Sequence, residues 1–348
     1  MPTIADVARR AGVSTATVSR AINGVGPVNQ VTDQRIRAAI SELNYKPRPR
    51  RKNREAQSSQ TVTGLSAVSR PIAFLRLGPI SQHYDHSATE LIIAGMDRTL
   101  RAAGRTLSVS HVTDLSAAPA RDVIGDAAGV VVRTSNDREM IRQAVEWLGD
   151  IPAVRVLGDN LGGRTLIDHV MPDNNEVGIL AADYLREQAC EHLVFASMNP
   201  DWTFVRKRCV SFVKAAQAMD ISTRVVIRGN EGGDRLRQEL AHLPVEVSVA
   251  EDRLDLARRI ASIQEGKLGL FMPRDFELAI SMPQLQALQV DLDSGSSVIG
   301  CDNETWCLSE LTPRPATIDL HFGHIATRAM QLLSDRIENP DKPGESIL

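Results

Sequence analysis

Residues 3–23 read TIADVARRAGVSTATVSRAIN, and this stretch decides how the amino-terminal part of the chain folds. Thr3 can cap a first short helix and Gly12 suits its left-handed end, and the apolar residues between them recur at helical spacing: Ile4, Val7, Ala8 and Ala11. Ser14 caps a second helix after a tight turn, and its inward residues are Val18, Ala21 and Ile22. The spacing predicts a helix-turn-helix.

A third helix is predicted from Thr32 to about Asn44, with a buried stripe formed by Ile36, Ala39, Ile40 and Leu43. A helix-turn-helix places the start of its second helix in the major groove of DNA. Thr15 and Ala16 can touch a thymine methyl group there, and Arg20 can pair with guanine. The alternative is a small three-helix module whose polar positions are simply solvated.

The motif AxxAGVSxxTVSRxxN at residues 8–23, the helix opened at Thr32, and Leu43-Asn44-Tyr45 before Pro47 together resemble the head of the LacI/GalR (lactose-repressor) family. The resemblance implies that Thr15 and Ala16 read bases. Together with the basic segment that follows, the predicted DNA-binding set is Thr3, Ser14, Thr15, Ala16, Thr17, Arg20, Asn23, Asn29, Thr32, Tyr45, Arg50, Arg51 and Arg54. Binding as a homodimer to a palindromic operator in double-stranded DNA is expected, because one head contacts only a few base pairs.

From Pro71 onward, apolar runs typical of strands alternate with helical stretches. Strands are predicted at 71–77, 105–112, 129–134 and 152–158, and again at 192–198, 224–229, 246–250, 268–273 and 297–303. This alternation predicts an α/β body of doubly wound parallel sheets, and the number of units predicts two lobes. Residues 172–185, 298–304 and 315–337 resemble the same family, whose sensor is built like a periplasmic sugar-binding protein.

The predicted domains are an all-α head at 1–46, a basic hinge at 47–70 and a two-lobed ligand-sensing and dimerisation domain at 71–348. One lobe is expected to comprise about 71–160 plus 290–320, and the other about 161–289 plus 321–348. The family normally continues into a final strand where this chain reads GESIL, so that strand is expected to be missing. The absence of a heptad tail favours a dimer over a tetramer.

Open α/β sheets bind ligands at the carboxyl ends of their strands, so a small-molecule effector is expected between the lobes. The candidate effector residues are Ser81, His83, Tyr84, Ser135, Asp159, Trp202, Arg208 and Asp275. Arg208 and Asp275 match, by position, the family's ligand-clamping arginine and hydrogen-bonding aspartate. They suit a polyhydroxy ligand or one with an anionic group. Ser211 replaces the family's usual glycine before Phe212.

The segment KPRPRRKNR at residues 46–54 departs most from the family. The family resemblance implies a short hinge helix here, with a leucine that wedges into the minor groove. That leucine position falls on Arg54, and no apolar residue occurs from Pro47 to Glu55. We therefore expect a DNA-facing linker that replaces the wedge with charge and bends DNA less than the family norm.

Charge is unevenly placed along the 348 residues. Residues 1–56 hold 11 Lys and Arg against 4 Asp and Glu, a balance of +7; since the whole chain is −3, the other 292 residues carry −10. A basic head on an acidic body indicates a polyanion partner at one end. No apolar run approaches the roughly 18–20 residues of a membrane span, and no secretory signal is recognisable, so a cytoplasmic protein with no membrane partner is expected.

No cofactor and no metal are predicted. The four cysteines have no zinc-like spacing and read as small buried hydrophobes, although Cys190-Glu191-His192 leaves a metal site as an alternative. An enzyme could use His83, Asp85 and His86 as acid and base groups, but no phosphate-binding loop, nucleophile elbow or metal triad occurs. A transport binding protein would share the body but lack the basic head. The sequence predicts a ligand-responsive regulator of transcription rather than an enzyme.

Overall fold

The computed structural model describes residues 30–43, 70–78, 86–134, 138–158, 167–263, 266–290 and 297–347, together with Val7, Arg10, Ala11, Val13 and Val18. The chain divides into two compact units, Met1–Thr63 and Gly64–Leu348. Nearly all of the described structure therefore belongs to the larger unit.

The smaller unit packs around a helix at Gln30–Glu42, which we label α1. Ile36 and Ala39 on this helix are buried against Val7, Ala11 and Val18, and Val13, Ile40 and Leu43 pack on the same cluster. The predicted third helix and its apolar stripe are thus confirmed. The remaining inward positions, Ile4, Ala8, Ala21 and Ile22, lie outside the described residues.

The larger unit alternates strands and helices along its length. The strands are β1 Ile72–Leu77, β2 Leu107–Val112, β3 Gly129–Arg133, β4 Ala153–Val156, β5 Asp168–Val170, β6 His192–Ser197, β7 Ser222–Arg228, β8 Glu246–Ala250, β9 Leu268–Phe271, β10 Val298–Cys301, β11 Ala316–Ile318 and β12 Ser346–Ile347. The helices are α2 His86–Ala102, α3 Ala120–Ile124, α4 Arg138–Leu148, α5 Asn174–Glu187, α6 Thr203–Ala218, α7 Glu231–Leu240, α8 Arg253–Ala261, α9 Asp275–Ala287, α10 Thr305–Leu308 and α11 Phe322–Glu338.

The strands form two six-stranded sheets, in the orders β12-β5-β4-β3-β1-β2 and β11-β10-β9-β6-β7-β8. The strand pairings are parallel, for example β1 with β3 and β6 with β9. Helices cover both faces of such sheets, which is why strands such as β3 (GVVVR) are buried along nearly their whole length. The predicted α/β class, its parallel sheets and its two lobes are confirmed.

The predicted allocation of segments to lobes is wrong at the carboxyl end. Strands β10 and β11 pair with β9 in the second sheet, whereas the sequence placed residues 290–320 in the first lobe. Helix α11 packs on α2 and on strands of the first sheet, whereas the sequence placed residues 321–348 in the second lobe. Apolar runs identify a strand or a helix, but they do not show which sheet will receive it.

The expectation of a missing last strand is also wrong, because Ser346–Ile347 forms β12 and pairs in parallel with β5. Asp168 on β5 anchors this end of the chain. Its carboxylate accepts two hydrogen bonds of 2.9 Å from the Arg336 guanidinium and one of 2.7 Å from the amide of Glu345. A two-residue strand carries too little pattern to be predicted from apolar periodicity.

Candidate functional site

The carboxyl ends of β6, β9 and β10 bring two arginines and two carboxylates together, and we call Arg208, Arg274, Asp302 and Glu304 the second-lobe charge network. Asp302 lies 3.4 Å from Arg208 Nη1 through Oδ1 and 3.3 Å from Arg274 Nε through Oδ2. Arg274 Nη2 lies 3.7 Å from Glu304 Oε1. These side chains are all less than 10% exposed, so each charge depends on its partners.

Two aromatic rings pack against the same arginines. Trp202 and Phe204, at the start of α6, stack with ring centroids 5.4 Å apart. The guanidinium carbon of Arg274 lies 5.0 Å from the Trp202 ring centroid, and that of Arg208 lies 5.0 Å from the Phe204 centroid. Cation–π contact at this distance attracts both guanidinium groups to the rings and helps to hold them in place.

Helix packing positions Arg208. Its Nε donates to Asn174 Oδ1 at 3.0 Å, and its Nη1 donates to the carbonyl oxygen of Pro273. Asn174 opens α5, which crosses α6 so closely that a side-chain carbon at Gly178 would lie 2.1 Å from Ser211 Oγ and 2.3 Å from the Arg208 carbonyl oxygen. The serine that replaces the family's glycine is therefore accommodated by a glycine on the facing helix.

Asp275, predicted to contact an effector, is fully buried at the start of α9. Its Oδ2 accepts hydrogen bonds from Thr317 Oγ1 at 2.7 Å and from the Glu304 amide at 2.8 Å. Burial raises the pKa of this carboxyl to about 8, with a further rise from the charges of Asp302 and Glu304. Asp275 thus anchors the loop that carries Asp302 and Glu304. The carboxylate that lies beside Arg208 belongs to Asp302 and not to Asp275.

Glu304 also joins the two lobes. Ser87, in the first turn of α2 on the first lobe, donates its hydroxyl to Glu304 Oε1. Burial raises the pKa of Glu304, because removal from water disfavours the charged carboxylate. The Ser87–Glu304 hydrogen bond therefore lies at the contact between the two lobes, beside the charge network.

Four of the predicted site residues lie within the described part of the chain. Trp202, Arg208 and Asp275 meet around the charge network, while Thr32 lies in the first turn of α1, where its hydroxyl accepts a 3.5 Å contact from Arg35. The predicted effector residues Ser81, His83, Tyr84, Ser135 and Asp159 lie outside the described residues. So do the DNA-binding predictions Thr3, Ser14, Thr15, Ala16, Thr17, Arg20, Asn23, Asn29, Tyr45, Arg50, Arg51 and Arg54.

The sequence reading missed Asp302, Arg274 and Glu304 as members of the site. A signal for Asp302 was present, because the acidic run Asp302-Asn303-Glu304 directly follows the apolar strand β10. Arg274 likewise follows β9 by three residues. Their mutual contacts could not be read, since they join segments about 30 residues apart in the chain.

The cysteines behave as the sequence predicted. Cys190, Cys209, Cys301 and Cys307 are buried and free of disulfides. Burial raises the pKa of the Cys209 and Cys301 thiols well above the usual value, which favours the neutral thiol. Within the described ranges, no group of three or more His, Cys, Asp or Glu side chains is arranged to hold a metal ion.

Comparison with known proteins places these features in a family. Residues 3–48 match the model of the bacterial regulatory proteins, lacI family. The HTH-type transcriptional repressors PurR of Vibrio atlanticus (strain LGP32) and Vibrio vulnificus (strain CMCP6) are each 26% identical over 349 residues, covering 98% of this chain and 93% of the relative. The chain belongs to the LacI/GalR family.

Solved structures agree at the level of the fold. A transcriptional regulator CelR–cellobiose complex and a lac repressor dimer bound to operator and the anti-inducer ONPF each align with 100% of this LacI/GalR member and 96% of the other chain. Their TM-scores are both 0.58, at 18% and 17% identity. The two sheets are thus those of the bilobed, periplasmic-binding-protein-like fold of this family.

Family membership makes this LacI/GalR protein a DNA-binding regulator of transcription of the repressor type, and not an enzyme. Of the helices in the described ranges, none combines the length and apolar character needed to cross a lipid bilayer.

Proposed function

We propose that the protein is a ligand-responsive repressor that binds a palindromic operator as a homodimer and reads a small polar metabolite between its two lobes. The second-lobe charge network carries this proposal. Buried arginines, a carboxylate and two stacked aromatic rings meet at the carboxyl ends of parallel strands, which is where open α/β folds bind ligands. The relatives named as transcriptional repressors and the operator-bound dimer of similar fold support the same function.

The proposed coupling runs through the lobe contact at Ser87 and Glu304. A ligand that closes the lobes on the charge network changes the relative position of the first lobe, from which the chain leads to the DNA-binding head. A coupling free energy of about 1–3 kcal/mol would change operator affinity about 5–150-fold. The domain boundaries that we propose are a head at 1–46, a hinge at 47–70 and a sensor at 71–348, in a protein of the cytoplasm.

Selection of binding sites from random double-stranded DNA tests this function. The purified full chain should enrich a palindrome, and gel-shift titration should show dimer binding that weakens steeply with salt. Arg20→Ala should weaken specific binding by about 1–3 kcal/mol and relax selectivity at its contacted base pairs. Enrichment of no palindrome, or equal affinity for selected and random DNA, would overturn the proposal.

The basic hinge adds a second measurement on the same DNA. We propose that Arg50, Arg51 and Arg54 contact phosphates without wedging base pairs apart. Replacing the three together with alanine should flatten the logarithmic dependence of affinity on salt by about 2–3 units, with less DNA bending than a wedge produces. An unchanged salt slope would reduce the segment to a tether.

A further inference from the structure

Three arginines lie at or near the carboxyl ends of the first-lobe strands. We call Arg76 at the end of β1, Arg133 at the end of β3 and Arg155 on β4 the first-lobe arginine edge. Arg76 and Arg133 are register partners on adjacent parallel strands, so their side chains leave the same face of the sheet side by side. Arg155, one strand further along, is the register partner of Val132 and so leaves the opposite face of the sheet, where it is buried and its Nε donates to Thr134 Oγ1 at 3.2 Å.

A fourth arginine approaches from the other lobe. The pKa of Arg133 is lowered to about 9 by burial and then by the charges of Arg76, Arg274 and Arg155. Arg274 also lies 3.7 Å from Glu304, whose carboxylate accepts the hydroxyl of Ser87 in the first lobe, so this second-lobe cation lies at the contact between the lobes. A pKa of about 9 still leaves Arg133 charged at neutral pH, and the group therefore carries its full repulsion there.

The positive charge at this edge also acts on a neighbouring histidine, His169. His169 on β5 is the register partner of Arg155 and bonds the carbonyl oxygen of Leu157 at 2.6 Å. Its pKa is lowered to about 4 by burial and then by the charge of Arg155. A positive potential at this edge therefore acts on two titratable groups on different strands, Arg133 and His169.

This arrangement differs from that of an arginine with a structural role in the same lobe. Arg336 forms a bidentate pair with Asp168 and bonds backbone carbonyls of the carboxyl-terminal segment, so its charge is matched where it is buried. Arg76 and Arg133 have further interactions of their own, but they also place like charges in register on one face of the sheet, and like charges directly opposite one another are destabilising. Groupings that weaken the fold in this way are typical of functional sites.

We propose that the effector is an anion, a small metabolite whose phosphate or carboxylate group binds between Arg76 and Arg133 of the first lobe and Arg274 of the second. This inference rests on the proposed function and names the chemical class of its ligand. The planar forks of the three guanidinium groups match the oxygens of such a group. The arginines also have other interactions within the protein, so the anion would join an existing network.

The anion would act as the switch, because it bridges cations from both lobes. Without it, Arg133 and Arg274 repel one another across the cleft; with it, each is attracted to the same oxygens. The neutral remainder of the metabolite would then lie near the stacked Trp202 and Phe204 rings, which pack on the arginines of the second lobe.

Titration of the full chain with inorganic phosphate, citrate and glucose tests the inference at one ionic strength balanced with sodium chloride. We expect phosphate or citrate to raise the melting temperature saturably and to give a heat of binding, whereas glucose does neither. Phosphate and citrate separate a phosphoryl ligand from a carboxylate ligand. Arg133→Met and Arg76→Met should weaken the binding of the active anion by about tenfold or more, since each removes charge-assisted hydrogen bonds.

Two matched variants control for folding and for surface charge. Arg133→Lys keeps the cation and should retain affinity within a few-fold, while Arg101→Met removes an exposed first-lobe arginine paired with Asp97 and should change nothing. The inference is overturned if neither anion binds saturably, or if Arg133→Met and Arg101→Met bind the anion equally. The operator gel shift without ligand stays positive in either case if only this inference fails, and it is negative if the proposed function fails.

Discussion

The arginines on the two sides of the cleft have neighbours of opposite sign of charge. In the second-lobe charge network, Arg208 and Arg274 share the carboxylate of Asp302 at 3.3–3.4 Å. At the first-lobe arginine edge, Arg76 and Arg133 lie in register, and burial and then the neighbouring charges lower the pKa of Arg133. Opposite charges hold one wall of the cleft in shape, while like charges on the other wall weaken it. The second lobe is therefore preorganised, whereas in the first lobe a bound ligand can change the repulsion between the arginines.

Removing Asp302 should have the largest effect on this contrast. Asp302→Ala leaves two buried guanidinium groups without their shared carboxylate, so we expect the free energy of unfolding to fall by about 3–5 kcal/mol. Urea denaturation followed by circular dichroism measures this loss. Asp234→Ala removes an exposed carboxylate that pairs with Arg237 on α7, and it should cost less than about 1 kcal/mol. Similar losses for the two variants would show that the network is not a preorganised unit.

Removing Arg133 should raise the free energy of unfolding instead of lowering it. Arg133→Met keeps most of the apolar volume and removes a half-buried cation whose pKa is lowered by burial and by three neighbouring arginines, so we expect the free energy of unfolding to rise by about 1 kcal/mol or more at pH 7. Thermal unfolding at pH 7 measures the gain. Because the folded pKa of Arg133 lies below its unfolded value, the destabilisation by its charge is complete below about pH 9 and diminishes as pH rises from there toward 12.5. A stability loss in Arg133→Met would contradict the destabilising role of the edge.

The lobe contact gives a smaller effect. Ser87→Ala removes the hydroxyl that donates to Glu304. The free energy of anion binding should become less favourable by about 1 kcal/mol, the usual net contribution of one hydrogen bond. The effect should fall mainly on the closed lobes, so the affinity for the active anion should drop about fivefold while the urea midpoint changes little. Ser116→Ala, on an exposed first-lobe loop where its hydroxyl donates to Asp114, is the matched control.

The smallest effect is expected at Asp275, whose carboxyl is neutral in the folded protein at pH 7. Asp275→Asn resembles the protonated acid in shape, so stability near pH 4 should change by less than about 1 kcal/mol, and the variant should become more stable than the parent protein as pH rises from there. The folded pKa of about 8 lies above the unfolded value, so the stability contributed by the protonated carboxyl is present below about pH 4 and is lost as pH rises toward 8. Asp275→Asn should flatten the stability profile between pH 5 and 8, and an unchanged slope would show that the carboxyl is already ionised.

Local pattern predicted the elements well and the site only in part. The apolar runs at residues 129–134 and 192–198 became β3 and β6 because parallel strands covered on both faces must be apolar throughout. The three-residue strands β5 and β11 were missed, since so few residues show no periodicity. Arg208 and Trp202 were identified by motif and by their place after a strand, and they do meet at the cleft.

Asp302 and Arg133 could not be predicted with the same means. Asp302 follows a strand and Arg133 ends one, but many polar residues do so, and the chemistry of these two depends on neighbours far away in the chain. Asp302 lies beside Arg208 across 94 positions, and Arg133 becomes a register partner of Arg76 only because β3 is placed next to β1. Burial then changes the electrostatics of each group, and burial is a property of the packed protein.

The helix-turn-helix motif, the α/β alternation and the uneven charge can be read from the chain alone, because each depends on residues that are close together in it. The sheet that receives the carboxyl-terminal segments, and the charges that meet in the cleft, became visible only in the folded protein. Short-range periodicity encodes secondary structure, whereas the pairing of strands and the interaction of buried charges depend on distances in space. The arginine edge is therefore a property of the fold that no single stretch of the chain displays.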